Sequence, residues 1–204
     1  MKTPAVKEYG RSDLCEKNWG LHPLTSQKLA AILTYYGSLE YYVERAIWKL
    51  ENFQPKEIRP DTDAKTITHL ISKLEKFVAT LEEPDDEYFL KSWCEAASFG
   101  FIIRNNIAHG VAVKMGNTLA FMRNPCWHGE IRKREFGDFW ADKNTLDLVC
   151  ESLAVLLRII VKIESGELTI KEIASPIALK ALREARSILG EFSSQSYNPS
   201  FEKY

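Results

Sequence analysis

The stretch FIIRNNIAHG, residues 101–110, places Arg104, Asn105 and His109 within one short run. Nineteen positions on, FMRNPCWHG repeats the spacing with Arg123, Asn124 and His128. A histidine takes or gives a proton near neutral pH. An arginine presents a permanent, planar positive charge to an oxyanion. Either copy therefore holds the groups for proton transfer beside a developing negative charge. With ten Arg and four His in the chain, roughly 0.2 accidental matches are expected at one fixed spacing. The spacing alone therefore says little, and the elements that carry the two copies must separate them.

Composition bounds the rest. The chain has 204 residues, 45% hydrophobic and 27% charged, with a formal net charge of −1. That is enough for one sizeable core, and the molecule as a whole does not advertise a polyanion partner. No apolar run reaches bilayer length, and the first twenty residues lack the apolar middle of a signal peptide. Cys15, Cys94, Cys126 and Cys150 are widely spaced. The expectation is a reduced, cytoplasmic protein without disulfides or membrane contact. Cys126-Trp127-His128 offers two ligands where a structural zinc site needs four, so neither metal nor cofactor is expected.

The periodicity is mainly helical. Residues 1–22 read as a loosely attached arm. Leu29, Leu33, Tyr36, Val43, Ile47 and Leu50 then mark a first long helix, with Glu40 standing in the one gap of the stripe. Asp61 or Thr62 is expected to cap a second helix, striped by Ile67, Leu70, Ile71, Leu74, Phe77, Val78 and Leu81. A third runs from about Asp86 to Ala108, with Leu90, Trp93, Ala97, Gly100 and Arg104 in line. Alternation at 111–114 and 118–122 around Gly116-Asn117 predicts a hairpin. Residues 124–141 read as a loop rich in aromatic and basic side chains. A fourth, mostly apolar helix spans about 144–164, and Ser175-Pro176 opens a fifth. The expected fold is all-α: an antiparallel bundle of four to five helices over 23–192, with a short β-hairpin between helices 3 and 4. The hairpin and basic loop cover 111–141, and a polar tail follows from 193 to 204.

These elements separate the two copies. Arg104–His109 ends a long helix, with Asn105 and His109 on one face. Arg123–His128 contains Pro125, which breaks helical geometry there and at Asn124. The first copy is the better preorganised.

A helical bundle whose core helix ends in Arg104-Asn105-x-x-x-His109-Gly110 resembles a HEPN domain, over about residues 24–164. The family's signature is an Arg, a polar residue directly after it, and a His a few residues on. The resemblance implies a metal-independent endoribonuclease of a toxin–antitoxin or anti-phage system, active where two motifs meet in a homodimer. One toxin subfamily adds a Tyr two residues after the His. Val111 stands there, so control by nucleotide addition to that Tyr is not implied. The hairpin and basic loop are not part of the minimal domain.

On this reading the RNA 2′-hydroxyl attacks the adjacent phosphate. His109 moves protons, Arg104 holds the phosphorane, Asn105 steadies the imidazole or a phosphate oxygen, and Glu40 and Asn106 support the set. Between 101 and 134, Arg104, Lys114, Arg123, Arg132, Lys133 and Arg134 face a single carboxylate, Glu130. With Trp127 and Phe136 nearby, this suits backbone tracking and base stacking on RNA. Phe101 and Ile102 are candidates for the dimer patch. The competing reading is a non-catalytic module that binds RNA or protein, in the manner of an antitoxin or regulatory partner. A purely structural one has His109 capping its helix and Arg104 pairing with Glu40.

Overall fold

Four long apolar stripes fold as helices and bury those stripes against one another. A computed structural model describes residues 4–195 and 197. Two short exposed helices, α1 (Ala5–Gly10) and α2 (Ser12–Trp19), form the N-terminal arm. Helix α3 (Pro23–Leu50) opens on a proline, whose fixed φ suits a first helical position. Its buried seam is Leu29, Ile32, Tyr36, Leu39, Val43, Ala46 and Ile47. From Leu29 to Ala46 that seam alternates steps of three and four without a gap. Leu39 fills the interval assigned to Glu40 in the sequence, and Leu33 lies at the rim, 37% exposed. Choosing Leu33 over Ile32 shifts the stripe by one residue, which is why Glu40 looked central.

Helix α4 (Ile67–Glu75) is capped by Thr66, whose hydroxyl accepts from His69 N at 3.4 Å. Thr62, an expected cap, is instead buried and accepts from the Trp48 indole at 2.8 Å. The rest of the expected stripe passes into a 3-10 turn at Val78–Thr80. Helix α5 (Pro84–His109) has Asp85, Asp86 and Glu87 in its first turn, where the backbone dipole is positive.

The chain then enters a sheet. Strand β1 (Val111–Met115) pairs antiparallel with β2 (Thr118–Arg123), with Met115 opposite Thr118 across the Gly116-Asn117 turn. A third strand, β3 (Gly137–Trp140), pairs antiparallel with β2. This corrects two expectations. Residues 124–141 are not all loop, and the fold is mostly helical with a small three-stranded sheet rather than all-α. The strand is short and opens on a glycine and an aspartate, and it lacks a β-branched run. Its pairing is decided across the sheet, where Phe139 meets Phe121 and both are buried.

Helix α6 (Lys143–Ser165) starts at Asp142, whose Oδ1 accepts from Thr145 N at 2.9 Å. Gly166, at φ 62°, ends it. A single turn, α7 (Ile170–Ile173), closed by a Thr169–Glu172 capping box, leads to α8 (Pro176–Ser193). Helix α6 is the central one, packed against α3, α5 and α8. It runs alongside α3 in the same direction, with Lys28–Asp147 at 2.8 Å near one end and Arg45–Glu164 at 2.9 Å near the other. Helix α5 runs the opposite way: Trp93 donates to the Leu156 carbonyl at 3.0 Å, and Gly100 abuts Leu153. Successive long helices thus alternate up and down.

Most of the expected 193–204 tail, residue 196 and residues 198–204, lies outside the described residues. Of its described part, Ser193 ends α8 and Gln195 donates to the Phe136 carbonyl at 2.8 Å. All four cysteines are free. No helix among the described residues is long and apolar enough to cross a membrane.

Leu153, fully buried where α5 and α6 meet, tests this packing. Leu153→Ala is expected to cost about 2–5 kcal/mol through lost transfer energy and a residual cavity. The shift of the urea unfolding midpoint measures it.

Candidate functional site

The last two turns of α5 carry Arg104, Asn105 and His109. Arg104 is half-buried, and its Nη1 donates to Asn105 Oδ1 at 3.0 Å. His109 is the final helical residue and is exposed. Asn105 and His109 are four apart, on one face. Asn105 therefore steadies the guanidinium, which leaves its carbonyl oxygen engaged away from the imidazole.

Glu40 was expected to hold the Arg104 fork. Among the described residues no salt bridge joins them. Glu40 lies beside the seam residue Leu39 rather than on the seam, while Asn105 is the neighbour in sequence. Both charges act instead on Tyr36. Its ring is buried and stacks on Phe101 at 5.9 Å between centroids. Its hydroxyl donates to the Ala97 carbonyl at 2.8 Å. Burial pushes the phenol well above its usual range; Glu40 adds to that push and Arg104 opposes it. Phe101, a candidate dimer residue, is partly buried against the core, and Ile102 beside it is exposed.

Toward the core from the same helix end, Asn106 is buried and its Nδ2 donates to the Asp138 carbonyl at 2.6 Å. Its Oδ1 is buried without a partner. Gly110 follows at once: a Cβ there would stand 2.2 Å from the Asn106 carbonyl and 3.1 Å from Met122 N. Only glycine lets the helix pass so directly into β1. Gly137, opposite Arg123 in the β2–β3 register, is a second close approach. A Cβ at Gly137 would lie 2.7 Å from Asn106 Oδ1 and 3.3 Å from Arg123 Nη2. Arg123 is half-buried, and its Nε is buried without a partner. The two sequence copies thus meet in space through Asn106 and Arg123, which their separation in the chain did not show.

The remainder of the second copy goes elsewhere. His128 lies in an exposed turn, with its backbone N–H donating to Glu130 Oε2 at 2.8 Å. Glu130 also pairs with Arg132 at 2.6 Å. Its own backbone N–H, then Arg132 and the His128 N–H, hold its carboxyl below the usual range. Arg132 is therefore engaged, whereas Lys114, Lys133 and Arg134 are exposed without an ion pair among the described residues. Trp127 is 55% exposed, and Phe136 and Ile131 are exposed with it. Asp138, whose side chain accepts from Trp140 Nε1 at 3.0 Å, is pushed upward by burial. Among the described residues no group of three or more His, Cys, Asp or Glu is placed to hold a metal ion.

Tyr36 was read in the sequence only as a stripe residue. Its position beside Arg104 had no sequence signal, because it arises from α3 crossing α5. Comparison of the chain with family models, with curated proteins and with solved structures returned no match.

Tyr36→Phe removes a buried donor and leaves the Ala97 carbonyl short of a partner, an expected loss of about 1–2 kcal/mol at neutral pH. The folded phenol has a raised pKa, so folding selects the neutral form. That contribution is complete below about pH 10, the ordinary tyrosine value, and is lost as pH rises above it. Urea midpoints measured from roughly pH 8 to 11 should fall more steeply for the wild type than for Tyr36→Phe.

Proposed function

We propose that this chain is a metal-independent endoribonuclease of HEPN type, acting as a homodimer. The observation that carries the reading is the end of α5. One rigid helix presents a guanidinium steadied by Asn105 and, five residues on, an exposed imidazole. The exposed Lys114, Trp127, Lys133 and Arg134 on the neighbouring hairpin and loop supply cations and a stacking face for an RNA strand.

The chemistry is in-line transfer. An imidazole takes the proton of the ribose 2′-hydroxyl as that oxygen bonds to the adjacent phosphorus. A second imidazole gives a proton to the departing 5′-oxygen as its bond to phosphorus breaks. Arg104 stabilises the non-bridging oxygens of the phosphorane. The products are a 2′,3′-cyclic phosphate and a 5′-hydroxyl. Each chain brings one motif histidine, and Arg104 and His109 stand about 140° apart on an ideal helix. Two chains facing each other across α5 supply both histidines. Such an activity suits a toxin–antitoxin or anti-phage defence system, with an antitoxin-like protein as a further partner.

His109→Ala is expected to lower cleavage by about a hundredfold or more, with the fold retained because His109 is exposed. His128→Ala should change it little. Gel assays of RNA cleavage compare the two, and the opposite ranking would transfer the role to the second copy.

Cleavage should persist in EDTA and leave cyclic-phosphate ends, read by mass spectrometry of the fragments. Activity abolished by EDTA and restored by magnesium would overturn the mechanism. Mixing Arg104→Ala chains with His109→Ala chains should recover part of the activity, since one composite site then keeps an intact Arg and an intact His. A fully active monomer in light scattering would refute the shared site.

A further inference from the structure

Strand β2 ends in a half-buried arginine to which the cleavage chemistry assigns no step. Arg123 lies opposite Gly137 in the sheet register, two residues beyond Phe121, which pairs with Phe139. Side chains two apart on a strand share a face, so Arg123 belongs to the side of the sheet that carries the buried Phe121 and Phe139. Gly137 has no side chain to fill that corner. The guanidinium occupies it, and Asn106 Oδ1 reaches the same corner from α5. Asn106 and His109 are neighbours at i, i+3 on the helix surface. The chain then passes through Gly110 straight into the strand that pairs with β2, with Val111 opposite Met122. Arg123 is therefore set beside the helix end that bears His109.

Charge makes this placement informative. Burying a charged group is costly without a counter-charge. Among the described residues Arg123 has neither an ion pair nor a hydrogen bond through its side chain, and its Nε is shut off from water. Asp138, the nearest carboxylate in sequence to Gly137, accepts from Trp140 two residues on and so lies on the other face of β3. The C-terminal end of α5 carries partial negative charge from its last carbonyls, which repels an anion approaching His109. A fixed cation at that spot reverses the local sign. Arg104 is already engaged by Asn105, and Lys133 and Arg134 are exposed on a loop.

We infer that Arg123 and the last turn of α5 form a phosphate subsite within each chain, in which the Arg123 guanidinium holds a backbone phosphate of RNA beside His109. The inference rests on the ribonuclease reading for its substrate, though the subsite itself does not require cleavage. It adds a cation in the same chain to each half of the shared site. It also gives a role to the second Arg-Asn copy, whose His128 lies away in an exposed turn.

Two measurements test it. In the first, inorganic phosphate is titrated into the wild type while the Arg123 Nε–H and His109 ring signals are followed by NMR. Both signals should move together, and the His109 response should vanish in Arg123→Ala. In the second, a short RNA with every 2′-hydroxyl methylated, and so uncleavable, is bound to the same variants. Arg123→Ala should weaken binding about tenfold. Arg123→Lys should fall between, since it keeps the charge and loses the planar fork. On cleavable RNA the Arg123→Ala loss should be seen in kcat as well as KM, whereas Lys133→Ala should alter KM alone. If circular dichroism shows Arg123→Ala unfolded, Arg123→Lys and the wild-type phosphate titration decide. Signals unmoved by phosphate, or unchanged binding of the methylated RNA by a folded variant, would overturn the subsite. A phosphate response without metal-free cleavage would keep the subsite and remove the ribonuclease reading. Cleavage without a phosphate response would do the reverse.

Discussion

The hydrogen bond from Asn106 to the Asp138 carbonyl joins the end of α5 to the sheet. It is short, buried, and flanked by two glycines whose missing side chains let backbone and side chain approach. A buried amide that lost this acceptor would forfeit the full desolvation cost of its donor. The position of β3 against α5 therefore depends on it, and so does the angle at which α5 ends. Arg104 and His109 sit on the last two turns of α5. This joint links them to the sheet that carries Arg123.

Behind the joint stands an apolar bundle that holds α5 along its length. Trp93 is bonded to the Leu156 carbonyl, Gly100 lets Leu153 and Tyr36 close in, and Tyr36 reaches the Ala97 carbonyl. These contacts fix the helix against translation and rotation before its last turn begins. The Arg104 guanidinium is then steadied locally by Asn105, which costs little ordering because the two residues are adjacent.

Polar chemistry and packing thus divide the end of α5 into two sides. The side bearing Asn106, Ile103 and Ile107 is buried and structural. The side bearing Asn105 and His109 opens to solvent. Arg123 reaches this boundary from the sheet, and its unpartnered Nε marks the corner where structural and chemical demands meet.

The sequence by itself determined the long helices, the hairpin turn and the identity of the motif helix. Each of these is written in local periodicity or in a turn dipeptide: the stripe from Leu90 to Gly100, the Gly116-Asn117 turn, the Ser175-Pro176 start. It also placed Arg104 and His109 at a helix end, because glycine and the change of period follow at once. Only the tertiary structure decided the third strand, since a four-residue segment such as Gly137–Trp140 carries too few alternations to declare itself. It decided the phase of α3, where choosing between Ile32 and Leu33 requires knowing which face meets α6. It decided that Asn105 rather than Glu40 steadies Arg104, and that Asn106 and Arg123 meet at Gly137. The last of these joins residues from different elements, and what brings them together is the burial of Phe121, Phe139 and Ile107, a constraint spread over the whole core rather than written at any one position.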